Sequence, residues 1–143
     1  MTENQTDKLN ELLRGELAAT ETYQQAMAKV DGGPGAAELR RLHDEHREAA
    51  NRLRLHIRSL GTEPEHGSGV WGGFAKAVEG TAKIFGNKAA LKALKEGEKS
   101  GVHSYQKALH DGLPTECESL IRGTLLPQTQ AHIRAIDSLM DIQ

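Results

Sequence analysis

Apolar residues recur at alternating steps of three and four along four long stretches of the chain, which is the spacing of one face of an α-helix. The pattern predicts helices over 7–30, 36–60, 88–110 and 115–143, with a shorter amphipathic helix over 70–85. No window alternates apolar and polar residues for long, so a β-sheet is not expected. We therefore predict an all-α protein.

The connections between these helices predict how they are arranged. Segments 31–35 and 111–114 are short and contain glycine and proline, which predicts two antiparallel helical hairpins. Gly61, with Pro64 just beyond it, is predicted to stop the second helix. The connection over 61–87 is longer, holds the 70–85 helix and can run the full length of a bundle. Two hairpins joined by one such crossover make a known four-helix bundle topology. A chain of 143 residues with only 3% aromatic residues favours a single domain over 1–143 with a core of leucine and alanine.

The predicted buried face of the fourth helix is Ile121, Leu125, Gln128, His132, Ala135, Leu139 and Ile142. The start and the interior of this helix carry further signals. Thr115 and Glu118 have the spacing of a capping box at its start. Gly123 and Pro127 lie in its interior, where a proline lacks a backbone donor and its ring clashes with the carbonyl four residues earlier. The sequence therefore predicts a kink or a bulge in this helix.

The first and third helices are related by an internal repeat. Residues 12–27 align with residues 94–109 at an offset of 82 and are identical at six of the sixteen positions. The identical pairs are Leu12/Leu94, Gly15/Gly97, Glu16/Glu98, Tyr23/Tyr105, Gln24/Gln106 and Ala26/Ala108. Roughly one identity is expected from average composition. The two hairpins are therefore expected to be structural duplicates, with their glutamates at equivalent points.

The face of each helix that should be buried turns polar near its middle. The polar positions are Glu16 and Glu98 in the repeated helices, His43 and His46 in the second helix, and Gln128 and His132 in the fourth. Burying unpaired charge costs several kcal/mol, so such a layer must be paired, hydrated or bound to a metal ion. Two interpretations follow: a site for iron, manganese or zinc, or a hydrogen-bonded network that holds the helices in register. The candidate metal ligands are Glu16, His43, His46, Glu98 and His132.

The chain resembles the ferritin-like superfamily of four-helix bundles. The resemblance lies in LNELL of the first helix, LGTEP after the second, GE with the later Tyr105 in the third and AHIRAI in the fourth. Within the superfamily the chain is similar to a bacterial ferritin-like family of unknown function. The resemblance implies a di-iron layer with a Glu from each of two helices and a Glu-x-x-His from each of the other two.

That motif is present only in part. The matching positions are Glu16 and Glu98 for the single glutamates and His46 and His132 for the histidines. His43 and Thr129 stand where the motif has its two bridging glutamates. The resemblance therefore implies a ferritin-like protein with a degenerate di-iron motif whose remaining residues also suit a single zinc or iron ion. The sequence shows no cage-forming surface, so a protein that does not store iron is expected.

Two further pairs of the repeat lie near the polar positions. Tyr23 and Tyr105 follow the glutamates by two helical turns, and each can donate a hydrogen bond into the layer or pack in the core with a polar tip. We favour core packing for both tyrosines. Glu21 and His103 lie off the buried face and are expected at the surface.

Charge and composition exclude several classes of protein. The net charge of −2 gives no global attraction to nucleic acid, and the arginines of the second helix alternate with glutamates, as on a solvated face. A single cysteine, Cys117, excludes an internal disulfide and is expected to be a small buried residue of a cytoplasmic protein. The G-x-G-x-x-G match at 67–72 follows no strand, so no organic cofactor is predicted. No stretch reaches the ~18 apolar residues of a membrane-spanning helix.

The preferred hypothesis is a ferritin-like protein that binds a transition metal in the middle of the bundle. A metal-free interaction module is the alternative, because the apolar side of the 70–85 helix must be buried. Trp71, Phe74, Val78 and Phe85 form that side. A homo-oligomer, with a dimer favoured, is the expected way to bury it, and contact with a membrane surface is the second possibility. The sequence names no substrate, so it leaves open whether the protein is an enzyme.

Overall fold

The computed structural model describes residues 3–29, 34–65 and 87–142, and nearly all of them are helical. The elements are α1 (Glu3–Lys29), α2 (Pro34–Ser59), α3 (Asn87–Asp111), α4 (Thr115–Leu120), a π-helical turn (Ile121–Leu125) and α5 (Leu126–Ile142). No strand occurs within the described ranges, so the all-α prediction is confirmed. In the same ranges no helix is both long enough and apolar enough to cross a bilayer. The predicted crossover helix over 70–85 lies outside the described residues.

The helices form a bundle in which α1 packs mainly on α2, and α3 mainly on α5. The start of α1 lies beside the end of α3, where Lys8 Nζ is 3.7 Å from a carboxylate oxygen of Asp111. The chain after α2 reaches the same end, where the backbone N–H of Glu65 donates a 3.0 Å hydrogen bond to Asn10 Oδ1. The fourth helix is continuous through α4, the π-helical turn and α5. The predicted four-helix bundle is therefore confirmed.

The core consists of two hydrophobic clusters, one toward each end of the bundle. The first cluster includes Leu9, Leu12, Leu13, Leu53, Ile57, Tyr105, Leu113, Cys117, Ile121 and Leu125. The second cluster includes Tyr23, Leu39, Leu42, Leu91, Leu94, Ile136 and Leu139. The last turns of α2 belong to the first cluster and the first turns of α3 to the second. Helix α2 therefore ends, and α3 begins, at opposite ends of the bundle.

A buried polar layer separates the two clusters. We define the polar layer as Glu16, His43, His46, Glu98, Thr129 and His132, all of which are buried. On each helix these residues lie between the positions that belong to the first cluster and those that belong to the second. The layer interrupts the apolar core near its middle, as the sequence pattern predicts.

The irregularity predicted for the fourth helix is the π-helical turn over Ile121–Leu125. Pro127 follows it and has no backbone N–H, and its ring would clash with the carbonyl of Gly123 in a regular α-helix. A π-helical turn holds more residues than an α-helical turn, so it changes the direction in which later side chains point. The buried positions across the turn, 121, 125 and 129, consequently follow one another at two successive steps of four.

The predicted buried face of the fourth helix is wrong at several positions beyond the π-helical turn. Thr129 and Ile136 are buried, at 3% and 0% exposure. The predicted Gln128 and Ala135 are only partly buried. Ile142, also predicted inside, is 68% exposed. The sequence pattern assumed regular α-helical turns, whereas the wider turn brings Thr129 and Ile136 into the buried face, beside His132 and Leu139, which are buried as predicted.

The ends of the helices match the sequence in part. Gly61, predicted to stop the second helix, has a φ of 83° directly after α2, a conformation that residues with a Cβ rarely adopt. The predicted capping box at Thr115 is not formed, because Pro114 is the N-cap residue and no side chain caps α4. The fixed φ of proline suits this position, and Thr115 becomes the first helical residue instead of the cap.

Candidate functional site

His46 lies at the centre of the polar layer, between the two glutamates of the repeat. Its Nδ1 is 2.7 Å from Glu16 Oε2 and its Nε2 is 2.7 Å from Glu98 Oε2. A neutral imidazole has only one N–H, so two carboxylates at both ring nitrogens favour the doubly protonated ring. Burial alone lowers the pKa of His46, but the charges and hydrogen bonds of Glu98 and Glu16 outweigh it and hold that pKa well above its usual value.

Glu98 is the carboxylate that contacts most of the layer. Its Oε2 accepts from His46, and its Oε1 lies 3.3 Å from His132 Nδ1. Burial favours the neutral acid, but the charge of His46 and the hydrogen bonds from His132 and His46 lower the pKa of Glu98 to about 2. Glu98 is therefore ionised at neutral pH although it is only 3% exposed.

Each tyrosine of the repeat donates to the glutamate of the other repeat. Tyr23 Oη lies 2.7 Å from Glu98 Oε2, and Tyr105 Oη lies 2.6 Å from Glu16 Oε1. Burial and the neighbouring carboxylates raise the pKa of both phenols well above the usual value. The favoured interpretation, core packing with a polar tip, therefore describes the rings but misses the hydrogen bonds that the hydroxyls donate into the layer. Both rings are buried in the hydrophobic clusters, but their hydroxyls are donors to the polar layer.

His132 connects the layer to the flank of α2. Its Nε2 is 2.7 Å from Glu45 Oε1, on the opposite side of the ring from Glu98. Arg41 in turn donates a 2.8 Å hydrogen bond from Nη1 to Glu45 Oε2 and also pairs with Glu38. A chain of hydrogen bonds thus runs from the exposed guanidinium of Arg41 through Glu45 and His132 to the buried Glu98.

Sequence reasoning missed the role of Glu45. It placed this residue among the glutamates that alternate with arginines on a solvated face, and its side chain is indeed 29% exposed. The pair of Glu45 with Arg41 at i and i+4 belongs to that face. The contact with His132 depends on which flank of α2 meets α5, and spacing within one helix does not show this. The nearest signal was the position of Glu45 beside His46.

Two residues of the layer do not join the central group. His43 directs Nδ1 to its neighbour Asp44, 2.9 Å away, and its buried Nε2 has no hydrogen-bond partner within the described part of the chain. Thr129 donates its hydroxyl to the backbone carbonyl of Leu125 at 2.8 Å. The two positions at which the resemblance to ferritin-like proteins implies bridging glutamates thus hold an imidazole bonded to its neighbour and a hydroxyl turned to its own helix.

Residues expected outside the layer lie where the sequence placed them. Glu21 and His103 are exposed. Cys117 is buried in the first cluster, with its Sγ 3.6 Å from His56 Nδ1. Burial and the nearby charge of Glu116 raise the pKa of the Cys117 thiol, which opposes formation of a reactive thiolate.

Three side chains of the layer can hold a metal ion. His46, Glu98 and His132 each offer one ligand atom, and these atoms lie within 4.8 Å of one another. All three residues are buried. Two imidazole nitrogens and one carboxylate oxygen are a common ligand set for zinc and for divalent iron or manganese. Glu16 is not part of this group, because it contacts Nδ1 of His46, the ring nitrogen that faces away from Glu98.

The fold and the polar layer define the class of protein, a four-helix bundle with a charged, hydrogen-bonded layer across its core. The model of the family described as Domain of unknown function (DUF2383) matches residues 4–111. The match covers most of the chain, from α1 to the end of α3, and the chain belongs to this family. It includes Glu16, Glu45, His46 and Glu98 but ends before His132. No curated protein and no solved structure matches the chain.

Proposed function

We propose that this chain is a ferritin-like protein that does not store iron and that binds one transition metal ion through His46, Glu98 and His132. The three ligand atoms within 4.8 Å support one ion. A second ion would need the bridging carboxylates of the ferritin-like motif, and His43 and Thr129 occupy those positions. The donors therefore fit a mononuclear site of zinc, iron or manganese better than a pair of irons.

The observation that carries this proposal is the carboxylate behind each histidine. Glu16 faces Nδ1 of His46 and Glu45 faces Nε2 of His132, both at 2.7 Å. A metal-bound histidine commonly donates the N–H that faces away from the metal, its outer N–H, to a carboxylate. This hydrogen bond fixes the tautomer and leaves the other ring nitrogen, the inner one, free to bind the metal. Here both inner nitrogens, His46 Nε2 and His132 Nδ1, point at Glu98.

Each residue of the proposed site has a different role in binding an ion. The charged His46 lowers the pKa of Glu98 to about 2, and a bound cation would take over this stabilisation of the Glu98 carboxylate once His46 loses its charge. His46 must release the proton on Nε2 and keep the one on Nδ1, which it donates to Glu16. Tyr105 donates to Glu16 and stabilises its negative charge. A bound ion of this kind supplies Lewis acidity and, for iron or manganese, a redox centre.

A metal-free function is the second candidate, and the closure of the network favours it. Each carboxylate oxygen of Glu16 and Glu98 has a donor or a histidine nitrogen beside it. The layer is thus a paired network without any ion, and its role is to hold the helices in register. In that case the function lies in assembly, as a homodimer or another complex through the surface of the bundle.

Metal content decides between the two candidates. The protein is purified without added ions and its metal is quantified, then it is stripped with a chelator and titrated with zinc, iron(II) and manganese(II). The metal proposal expects about one equivalent of bound ion and a rise in melting temperature with at least one of the three, since binding to the folded state stabilises it. Absence of both bound metal and any thermal shift leaves the metal-free candidate.

A further inference from the structure

A cavity of about 50 Å³ lies between α1 and α3, beside the polar layer. On its helix–helix side the lining is made of small residues, among them Gly15, Ala19, Gly97 and Gly101. A Cβ added at Gly101 would already stand 3.4 Å from a methyl group of Thr129, so larger residues there would narrow this space. The lining also includes Glu11, which is exposed, so the cavity reaches the surface.

The inner wall of this cavity has no free buried side-chain donor. Glu16, Glu98, His46, Tyr23 and Tyr105 form that wall. Both ring nitrogens of His46 and both tyrosine hydroxyls are engaged with the two carboxylates. The two threonines of the lining, Thr22 and Thr129, donate to carbonyls of their own helices. What the wall still offers to a ligand is the remaining lone pairs of carboxylate and phenol oxygens, together with the hydroxyl of the half-buried Ser104, which can donate or accept.

The charge of the lining agrees with this supply of acceptors. Three carboxylates line the cavity, those of Glu11, Glu16 and Glu98, and they face one cationic side chain, His46. No lysine or arginine is part of the described lining. An anion would meet negative charge and no available buried donor, whereas a cation that donates hydrogen bonds would meet both needs of the wall.

Size and apolarity narrow the ligand further. One water molecule needs at least about 10–15 Å³ of a cavity measured in this way, so a space of about 50 Å³ suits a ligand with only a few non-hydrogen atoms. Leu12, Ala18 and Leu94 provide apolar surface that an alkyl group can contact. From these features we propose that the cavity is a binding site for a small primary alkylammonium ion, of the size of methylammonium or ethylammonium.

This proposal goes beyond metal binding and does not depend on it. The ammonium group would contact the carboxylates from the α1–α3 side, while the proposed metal ligands converge on Glu98 from His46 and His132. Because Glu98 and His46 belong to both sites, a bound metal ion is expected to weaken alkylammonium binding. The test therefore uses protein stripped of metal, so that its outcome is separate from the metal titration.

The two tyrosines are selective reporters, because the chain has only two and both line the cavity. Metal-free protein carrying ¹³C-labelled tyrosine rings is titrated with methylammonium and ethylammonium chloride at constant ionic strength, and the ring resonances are followed by NMR. The proposal expects saturable shifts of both tyrosines. Binding of tert-butylammonium, which has the same charge but is too large, is expected to be at least ~10-fold weaker by the size argument.

Two variants with a matched control test the location. Ala19→Leu fills the cavity and is expected to weaken binding at least ~10-fold, whereas Ala28→Leu, on an exposed position of the same helix, should leave it unchanged. Glu11→Gln lies at the exposed rim, does not disturb the core and should weaken binding a few-fold, which keeps the test valid if Ala19→Leu does not fold. Lack of saturation with the wild type, or equal binding of tert-butylammonium, overturns the proposal. Equal effects of Ala19→Leu and Ala28→Leu would do so too.

Discussion

Tyr23 of α1 donates its hydrogen bond to Glu98 of α3, 2.7 Å away, and not to the glutamate of its own helix. Tyr105 of α3 returns the same contact to Glu16 of α1 at 2.6 Å. His46 lies between the two carboxylates and contacts both. The two copies of the repeat are therefore interlocked, since each supplies a carboxylate that needs the hydroxyl of the other.

The reciprocal contacts predict that Tyr23→Phe and Tyr105→Phe destabilise the protein by similar amounts. Each change removes a buried hydrogen bond to a charged carboxylate, which contributes about 1.5–3 kcal/mol. Thr22→Val is the matched control, because it also deletes a buried hydroxyl, but one that only bonds the carbonyl of its own helix. Urea denaturation measures all three. Equal losses in the tyrosine variants and the control would contradict the interlocked arrangement.

Removal of the central histidine is expected to be far more damaging than removal of the charges around it. His46→Ala leaves Glu16 and Glu98 as buried carboxylates without their shared cation, and breaking a buried ion pair in this way costs about 3–5 kcal/mol. The double variant Glu16→Gln with Glu98→Gln should lose less, because a neutral His46 can still hydrogen-bond to the two amides.

The control for the histidine variant is His103→Ala, on an exposed position of α3. A surface change of this kind normally alters stability by less than about 0.5 kcal/mol. The free energies of unfolding of the metal-free proteins give the comparison. If His46→Ala were as mild as His103→Ala, the charged layer would not be part of what stabilises the fold.

The shifted pKa values predict a stability maximum for the metal-free protein on the acidic side of neutrality. Glu98 has a pKa lowered from 4.5 to about 2, so its contribution is complete above pH 4.5 and is lost as the pH falls toward 2. His46 has a pKa raised above 6.5, so its contribution is complete below pH 6.5 and is lost as the pH rises through the folded value. The maximum is therefore expected between about pH 4.5 and 6.5.

Thermal or urea denaturation across the pH range checks this prediction. The contribution of Glu98 corresponds to on the order of 3 kcal/mol, since its pKa falls from 4.5 to about 2 on folding. Glu98→Gln cannot titrate, so the difference between wild type and this variant should shrink as the pH falls below 4.5. A difference that stays constant down to pH 2 would show that the charge of Glu98 is not what its neighbours stabilise.

Glu45 provides a test of the metal proposal that leaves all three proposed ligands in place. Glu45→Gln keeps the shape of the side chain but weakens the hydrogen bond to Nε2 of His132. Loss of such a hydrogen-bond partner behind a metal ligand lowers metal affinity by about 10–100-fold. Glu48→Gln, on an exposed position of the same helix, is the control. Zinc affinity is measured by competition with a coloured chelator. Unchanged affinity in Glu45→Gln would remove His132 from the ligand set.

Much of the bundle could be predicted from the sequence because helical periodicity and turn residues act locally. The steps of three and four located the four long helices, and Gly61 marked the end of α2. The polar residues at the middle of each buried face predicted a layer in the core, because a core position occupied by glutamate or histidine is unusual unless it is paired. Residues 70–85 lie outside the described ranges, so the prediction of a crossover helix there remains a prediction.

The buried face of the fourth helix shows what the local sequence pattern could not predict. Gly123 and Pro127 predicted an irregularity, but they did not reveal that it is a π-helical turn, after which Thr129 and Ile136 are buried in place of Gln128 and Ala135. A proline excludes regular hydrogen bonding at its own nitrogen, and several distortions satisfy that requirement. Packing against the other helices selected the one that buries Thr129 and Ile136.

The sequence by itself determined which residues lie at the height of the polar layer. The position of a residue along the helix axis follows from counting residues. Which atoms meet at that height was decided by the tertiary structure. Glu45 turns to His132, the tyrosines cross to the opposite repeat, and His43 bonds its own neighbour. These pairings depend on how far each helix is rotated about its axis and on which flank faces which partner. Both are set by packing of all four helices together, since one helix in isolation has no fixed orientation toward another.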